Sequence, residues 1–347
     1  MPLPIIVPII IVLGGVYGAG RSIKAGIDVH KAKNINREAT DIICRTQKKQ
    51  YRHRSSARKG LSELAKTKAV ILAGSMKNFI NEFEKIKNVD FRRSVGLDEM
   101  KIIHEFIGDI NETKELSEFA TSLITGGLAG AGLGSLVAFG AYGATTALAV
   151  ASTGTTISTL SGIAATNATL AWIGGGTLAA GGFGVAGGAA ILGIMVAGPA
   201  IAVMGLVAGA RASKMLNDAY SNLATAKKTK KKVDVICLKL DEVKNRSEQL
   251  NSLLRRIDVY FIQSINSVKS VIDKRGSDWR DYDEASKKKV FLSVKLAQLQ
   301  KALLDTPILL KSGKLSIKYN KSISYVEQEL QSHEVSGAKK GNKRKTE

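Results

Sequence analysis

The sequence lacks charge over one very long stretch. Between Glu118 and Arg211 there is no aspartate, glutamate, lysine, arginine or histidine, although 23% of the 347 residues are charged and the net charge is +21. In an ordinary globular domain, about a quarter of the residues are charged. Residues 119–210 are therefore unlike a typical domain in water, and they give the main indication of function.

Cysteine, proline and aromatic residues are scarce as well. The two cysteines, Cys44 and Cys237, are far apart and have no metal-ligand spacing, which favours free thiols on helix faces in a reducing compartment. Aromatic residues make up 5% of the chain, and there are 5 prolines. Because no convincing strand alternation is present, the sequence predicts an all-α fold.

Catalytic and cofactor motifs are missing from the sequence. The four histidines have no metal-ligand spacing, and no H-E-x-x-H, C-x-x-C or G-x-x-x-x-G-K-[ST] motif occurs. The stretch GFGVAG at residues 182–187 matches G-x-G-x-x-G, but it lacks a preceding strand pattern and an acidic residue about 20 positions later. We therefore predict that the protein is not an enzyme and that it binds no cofactor and no metal.

The N-terminal segment, residues 1–20, is apolar and precedes the first positive charges, Arg21 and Lys24. It is nearly long enough for one membrane crossing. The positive-inside rule would place the residues that follow it in the cytoplasm. Three prolines weaken a helix there, so a shallow anchor or a buried arm is the alternative to a spanning segment. The prediction is a membrane-associated protein with cytoplasmic stalks.

Residues 21–118 predict a basic helical stalk. Apolar residues recur at helical spacing between Leu61 and Ile86, and the run from Arg45 to Lys59 is strongly basic. A basic helix face suits anionic lipid, whereas nucleic acid is disfavoured because no recognisable binding module surrounds the run. The predicted lipid-binding residues are Arg45, Lys48, Lys49, Arg52, Arg54, Lys230, Lys231 and Lys232.

Residues 211–335 predict a second stalk. Apolar residues step by three and four from Ile236 to Ile272, which indicates a coiled-coil-like seam that ends at Gly276. Its predicted core residues are Leu240, Leu250, Leu254, Ile257, Phe261 and Ile265. Residues 336–347 predict a disordered basic tail. The expected architecture is a bundle of long antiparallel helical stalks flanking an apolar helical hairpin at residues 119–210.

Small residues in the uncharged segment recur with a period of four. On a helix this period forms one stripe, which lets backbones approach closely in lipid. In water each such glycine weakens a helix by up to about 1 kcal/mol relative to alanine. The predicted membrane-inserting, helix-packing glycines are Gly126, Gly130, Gly134, Gly176, Gly184, Gly188, Gly205 and Gly209. A Ser- and Thr-rich middle, residues 151–169, separates two apolar blocks at 121–150 and 170–210, and the number of crossings stays open.

The order of stalk, hairpin and stalk resembles that of α-helical pore-forming proteins. The Gly/Ala/Thr-rich centre with basic flanks is similar to that of apolipoprotein L-like proteins. The stretch ATLAWIGGGTLAAGGFGVAGGAAILGIMVAGPAIAVMG at residues 168–205 resembles a glycine-rich segment found in uncharacterised bacterial proteins. The resemblance covers the central third of the chain, with the flanks alike in architecture only, and it assigns no catalytic or ligand residue. It implies membrane action, with a bacterial toxin or defence effector as the role.

Three functions fit these features. In the leading hypothesis the hairpin inserts into an anionic membrane, forms a pore or disrupts the bilayer as a homo-oligomer, and is shielded by amphipathic helices in a conditional soluble state. In the second hypothesis the protein is a non-lytic membrane scaffold whose stalk recruits a helical partner. In the third it is a soluble interaction module with a buried glycine-rich core. Solubility without detergent separates the third from the others, and dye leakage separates the first from the second.

Overall fold

The computed structural model describes residues 22–89, 110–125, 140–141, 212–309 and 315–343. The helices are α1 (Ser22–Ile71), α2 (Lys77–Phe83), α3 (Ile110–Thr125), α4 (Ala212–Arg275), α5 (Glu284–Leu304) and α6 (Lys318–Lys343). A π-helical turn, Leu72–Met76, joins α1 to α2, and a 3-10 turn, Trp279–Asp281, lies between α4 and α5. These ranges contain no strand, only two isolated backbone bridges, which confirms the all-α prediction.

The described residues belong to two compact units. The first, here called the two-helix unit, combines residues 22–53 of α1 with residues 212–238 of α4. The second, here called the bundle unit, contains the remainder of α1 and α4 together with α2, α3, α5, α6 and the short stretch 140–141.

In the two-helix unit, α1 and α4 run parallel. Asn222 donates a hydrogen bond of 3.1 Å to the side-chain oxygen of Asn36, and further along both helices Lys49 Nζ lies 2.7 Å from Asp234. Buried residues recur every seven positions and are mostly small: Ala32, Ala39 and Thr46 on α1, and Ala219, Ala226 and Val233 on α4. This is a heptad seam, but small side chains bury little apolar area, so each contributes little hydrophobic stabilisation.

In the bundle unit, α1 and α4 are also parallel. Arg255 Nη2 on α4 donates to Thr67 Oγ1 on α1 over 3.0 Å. Further along the chain in both cases, Ser75 in the π turn after α1 donates to the carboxylate of Asp258 on α4. The prediction of antiparallel stalks is therefore wrong for this pair. Periodicity shows which face of a helix is buried but not the direction of its partner, and the chain between α2 and α4 is long enough to return to the start of α1.

The later helices do follow an antiparallel course. Ser264 Oγ on α4 donates to Ser293 Oγ on α5 over 3.1 Å, and Gln300 on α5 reaches back to the carbonyl of Leu254 over 3.4 Å. Helix α6 packs on α5, and α3 packs on the π turn and on α2. Lys114, near the start of α3, lies 3.0 Å from Glu84 just after α2, so α3 runs back antiparallel to α1.

Large apolar side chains fill the core of the bundle unit. Phe79 on α2 lies between Phe83, with ring centroids 5.5 Å apart, and Phe261 on α4, at 5.4 Å. All six residues predicted to form the core of the second stalk are buried: Leu240, Leu250, Leu254, Ile257, Phe261 and Ile265. The bundle unit thus has the larger hydrophobic contribution per buried residue.

Helix ends follow the local chemistry of the sequence. Helix α4 ends at Arg275, and Gly276 adopts φ +76°, a left-handed conformation that suits glycine. The side chain of Asp283 accepts a hydrogen bond from Ser286 N and caps the start of α5. Helix α6 continues to Lys343, so residues 336–343 are helical where the composition predicted a disordered tail. The three lysines of this stretch favour helix, whereas Gly337 and Gly341 disfavour it, so propensity alone does not predict the helix.

None of the helices in the described ranges combines the length and the apolarity that a membrane crossing requires. The predicted anchor at residues 1–20 and all eight predicted packing glycines lie outside these ranges.

Truncating the seam of α4 should destabilise the bundle unit strongly. Leu250, Leu254 and Ile257 are fully buried, and replacing a buried Leu or Ile by Ala costs about 2–5 kcal/mol. We expect the triple Ala variant to melt at a markedly lower temperature in a thermal scan followed by circular dichroism. Val259→Ala and Ile262→Ala, on the exposed side of the same helix, are the matched controls and should melt like the wild type. Equal melting of all variants would contradict the packing described.

Candidate functional site

The beginning of the uncharged segment is part of the bundle unit. Residues 119–125 form the last turns of α3, where Ala120 is fully buried. Thr121 and Thr125 each donate a side-chain hydrogen bond to the backbone carbonyl four residues earlier, at 2.7 and 2.9 Å. These bonds satisfy the hydroxyl groups within the helix, so this part of the segment folds as an ordinary helix end.

Gly140 and Ala141 form a second point at which the uncharged segment meets the bundle unit. Gly140 is buried against the backbone of α1, and a Cβ atom at this position would overlap the carbonyl oxygen of Leu61. The fully buried Ala141 accepts two backbone hydrogen bonds, from Ile308 N at 2.9 Å and from Leu309 N at 3.1 Å. The close approach therefore requires glycine at 140, and backbone atoms make the polar contacts.

The residues that hold Ala141 are themselves anchored. Ser316 N donates to the carbonyl of Ile308 over 2.9 Å, and Leu309 pairs with Leu315 in an antiparallel bridge. Arg246 on α4 donates to the carbonyl of Ser316 over 2.8 Å, and its guanidinium carbon lies 4.8 Å from the ring centre of Tyr319. The connection between α5 and α6 is thereby fixed to α4, and it presents two N–H groups to the uncharged segment.

Most of the predicted lipid-binding residues lie on the surface of the two-helix unit. Lys49, whose side chain is 50% exposed, pairs with Asp234, and the hydrogen bond with this lysine lowers the pKa of Asp234. The other exposed members in this unit are Arg45, Lys48, Arg52, Lys230, Lys231 and Lys232. A pair this exposed contributes at most about 1 kcal/mol to stability.

Arg54 differs from the other predicted lipid-binding residues. It belongs to the bundle unit and is half-buried, and two of its guanidinium nitrogens have no hydrogen-bond partner among the described residues. Burial, followed by the charge of Arg58, lowers its pKa. The structure therefore does not bring Arg54 into the exposed set.

Both apolar stretches of the sequence lead into the same end of the two-helix unit. The N-terminal stretch 1–20 precedes α1, which begins at Ser22, and the uncharged segment 119–210 precedes α4, which begins at Ala212. Since α1 and α4 run parallel with Asn36 beside Asn222, their first residues lie at one end of the pair. The 59 residues of this unit carry 14 lysines and arginines against five aspartates and glutamates. The basic residues and the two apolar attachments therefore belong to one unit, with residues 45–52 and 230–232 about 27 Å or more along the helices from the end that bears the attachments.

Lys68 is a buried cation that the sequence reasoning missed. It is fully buried in α1, and its Nζ has no hydrogen-bond partner among the described residues. Burial lowers the pKa of Lys68 to about 8, and the charge of Asp305 opposes the shift. Asp305 itself lies 2.7 Å from Lys301 Nζ, which is 3.9 Å from Glu112 on α3. A signal was present in the sequence, because Lys68 falls four residues after Leu64 on the apolar face of α1.

Replacing Lys68 by Met should stabilise the protein. Below pH 8, Lys68 is protonated in both the folded and the unfolded chain, so the folded protein bears the full cost of the buried charge. Between pH 8 and the usual lysine pKa of 10.5, only the unfolded chain keeps the proton on Lys68. The free energy of unfolding therefore rises with pH in this range. We expect Lys68→Met to raise the free energy of unfolding by about 2–3 kcal/mol at pH 7. The gain should shrink as the pH rises above 8.

Urea unfolding at pH 7 and at pH 10 measures this difference. The exposed Lys59→Met, on the same helix, is the control and should change the free energy of unfolding by less than about 0.5 kcal/mol. A Lys68→Met variant that is less stable than the wild type at pH 7 would mean that the ammonium group has a stabilising partner.

Comparison with known proteins gives no relative for this arrangement: no protein-family model matches the chain, and no curated protein or solved structure shows significant similarity to it.

Proposed function

We propose that the protein is membrane-active, and that part of its uncharged segment inserts into an anionic membrane and assembles there into a pore or a disruptive oligomer. The observation that carries the proposal is the stretch of 92 uncharged residues between Glu118 and Arg211 in a chain of net charge +21. With no charged side chain and about four times the length needed for one crossing, this stretch meets the compositional requirement for insertion.

Electrostatic attraction to the membrane is the first step. The two-helix unit carries seven of the eight predicted lipid-binding residues, all of them exposed, and each lysine or arginine near an anionic lipid surface contributes about 1 kcal/mol to binding. This attraction acts only within about 10 Å at 0.1 M salt. The surface therefore has to come close to the headgroups, and binding should depend strongly on salt.

The direction of α1 and α4 supports one orientation at the membrane. The end of the two-helix unit at Ser22 and Ala212 receives both apolar stretches of the chain. If the helix pair lies along the bilayer surface, its basic residues reach the headgroups, and both apolar stretches meet the membrane at the same end of the pair.

Assembly inside the membrane is attributed to the glycine stripes. Apolar side chains gain nothing from association in lipid, so close backbone packing and interhelical hydrogen bonds drive it. Stripes such as Gly126, Gly130 and Gly134 would provide that close packing, either between segments of one chain or between copies. The biological role that follows from the resemblance, a bacterial toxin or defence effector, belongs to the same proposal.

A soluble interaction module is the second candidate, and one observation favours it. Gly140 and Ala141 are buried in the bundle unit, as they would be if the glycine-rich stretch were a permanent core element. The two candidates differ in one measurement, because a protein with a permanent core would release no enclosed dye from vesicles, even where its basic surface binds them. A non-lytic scaffold would bind vesicles without releasing the dye.

Neutralising the exposed lysines should weaken vesicle binding. We expect Lys230→Gln, Lys231→Gln and Lys232→Gln together to reduce binding to anionic vesicles about 100-fold at low salt, since each charge contributes about 1 kcal/mol. Co-sedimentation over a range of salt concentrations measures this. The control is the same change at Lys287, Lys288 and Lys289, which removes three charges from α5 of the bundle unit. Equal losses in the two variants, or equal binding to neutral vesicles, would contradict the assigned surface.

Bulky substitutions in the glycine stripes should block assembly. We expect Gly130→Leu and Gly184→Leu to abolish dye release while helix content in circular dichroism is unchanged, because leucine separates helix backbones without disfavouring the helix itself. Wild-type leakage from both variants would remove the stripes from the mechanism. The absence of leakage from the wild type under every lipid condition would favour the scaffold or the soluble module.

A further inference from the structure

We infer that the connection between α5 and α6 is a catch that retains the first apolar block, residues 121–150, on the bundle unit, and that opening it controls insertion. The inference rests on the proposed function. The described residues of the connection between α5 and α6 are 305–309 and 315–317. Gly140 and Ala141 lie within the first apolar block, so the block cannot enter a membrane as one helix while these two residues stay docked.

The docked contact depends on backbone atoms from both partners. The carbonyl of Ala141 accepts from two successive N–H groups, Ile308 N and Leu309 N. Ile308 and Ala141 are fully buried, so these bonds are shielded from water. Losing the carbonyl would leave two buried N–H groups unsatisfied, each at a cost comparable to a lost hydrogen bond. The docked contact is therefore stable although it involves only two residues of the apolar block, Gly140 and Ala141.

The opposite side of the docked segment is fixed by the fit of Gly140. A Cβ atom added at this position would overlap the carbonyl of Leu61, which belongs to the backbone of α1. Backbone in the middle of a long helix cannot shift to make room as a flexible side chain would. Gly140 is thus the position at which the smallest possible change, the addition of one methyl group, should open the catch.

The connection itself is positioned by α4 and α6. Arg246 Nη1 donates to the carbonyl of Ser316, Arg246 Nε lies 2.7 Å from Glu242, and Tyr319 donates to the carbonyl of Arg246. The side chain of Arg246 is only 13% exposed, so it is held in one orientation. Changing Arg246 to Lys would keep the charge beside Glu242 but remove the fork of donors that reaches Ser316 at the same time.

The experiment compares Gly140→Ala with Gly74→Ala in the full-length protein. Gly74 is the matched control because a Cβ atom there has no neighbour within 4 Å. Hydrogen exchange of the amides of Ile308 and Leu309 reports on the docked contact, and dye release from anionic vesicles reports on insertion. We expect Gly140→Ala to accelerate both by about tenfold, and Gly74→Ala to change neither. Arg246→Lys should act in the same direction as Gly140→Ala, and circular dichroism must show a folded protein in each case.

Unchanged amide exchange in both folded variants, Gly140→Ala and Arg246→Lys, would overturn the inference. Faster amide exchange together with dye release equal to that of the wild type would show that the docked contact does not control insertion. The proposed function would still stand in that case. If the wild type and every variant fail to release dye, the proposed function itself is wrong and the inference falls with it.

Discussion

The parallel pairing of α1 with α4 is the constraint on which the arrangement of the other segments depends. Two consecutive long helices that run in the same direction need a connection that travels back along the first of them. Here α3, which runs antiparallel to α1, is part of that return, and the uncharged segment follows α3 in the sequence. A chain with antiparallel stalks would need no such return, and it would leave the apolar stretch at the tip of a simple hairpin.

The two units differ in how their seams are filled. The heptad positions of the two-helix unit carry Ala32, Ala39, Ala219 and Ala226, whereas those of the bundle unit carry residues such as Phe261. Since apolar stabilisation follows buried area, the two-helix unit is expected to open locally at a lower free energy. Under the proposed function, this difference would let the two-helix unit rearrange at the membrane while the bundle unit, which holds Gly140 and Ala141, stays folded.

The sequence predicted the helices well because their signals are local. The step of three and four residues from Ile236 to Ile272 indicated one face of α4, and Gly276 marked its end through the left-handed conformation that glycine tolerates. The direction of α1 relative to α4 could not be predicted, because it depends on contacts between residues nearly 190 positions apart, such as Asn36 and Asn222. The same limit applies to the candidate site.

For that site, the glycine period suggested close packing, but it singled out other positions and overlooked Gly140. Its role comes from one carbonyl of α1, and no sequence pattern encodes that approach. Lys68 was overlooked for a different reason. A lysine on an apolar helix face is usually able to extend its ammonium group to water, and only the packing of neighbouring helices removes that route.

The burial of Trp279 gives the chain a built-in optical reference. Its indole is 3% exposed, lies 5.9 Å from the ring of Tyr282 and has the ammonium group of Lys287 6.0 Å from its ring centre. The chain contains 2 tryptophans, and the other, Trp172, belongs to the uncharged segment. Emission from the indole in the turn between α4 and α5 should therefore stay constant as long as the bundle unit remains folded. Any change in tryptophan emission under those conditions would come from Trp172, the single indole inside the apolar stretch.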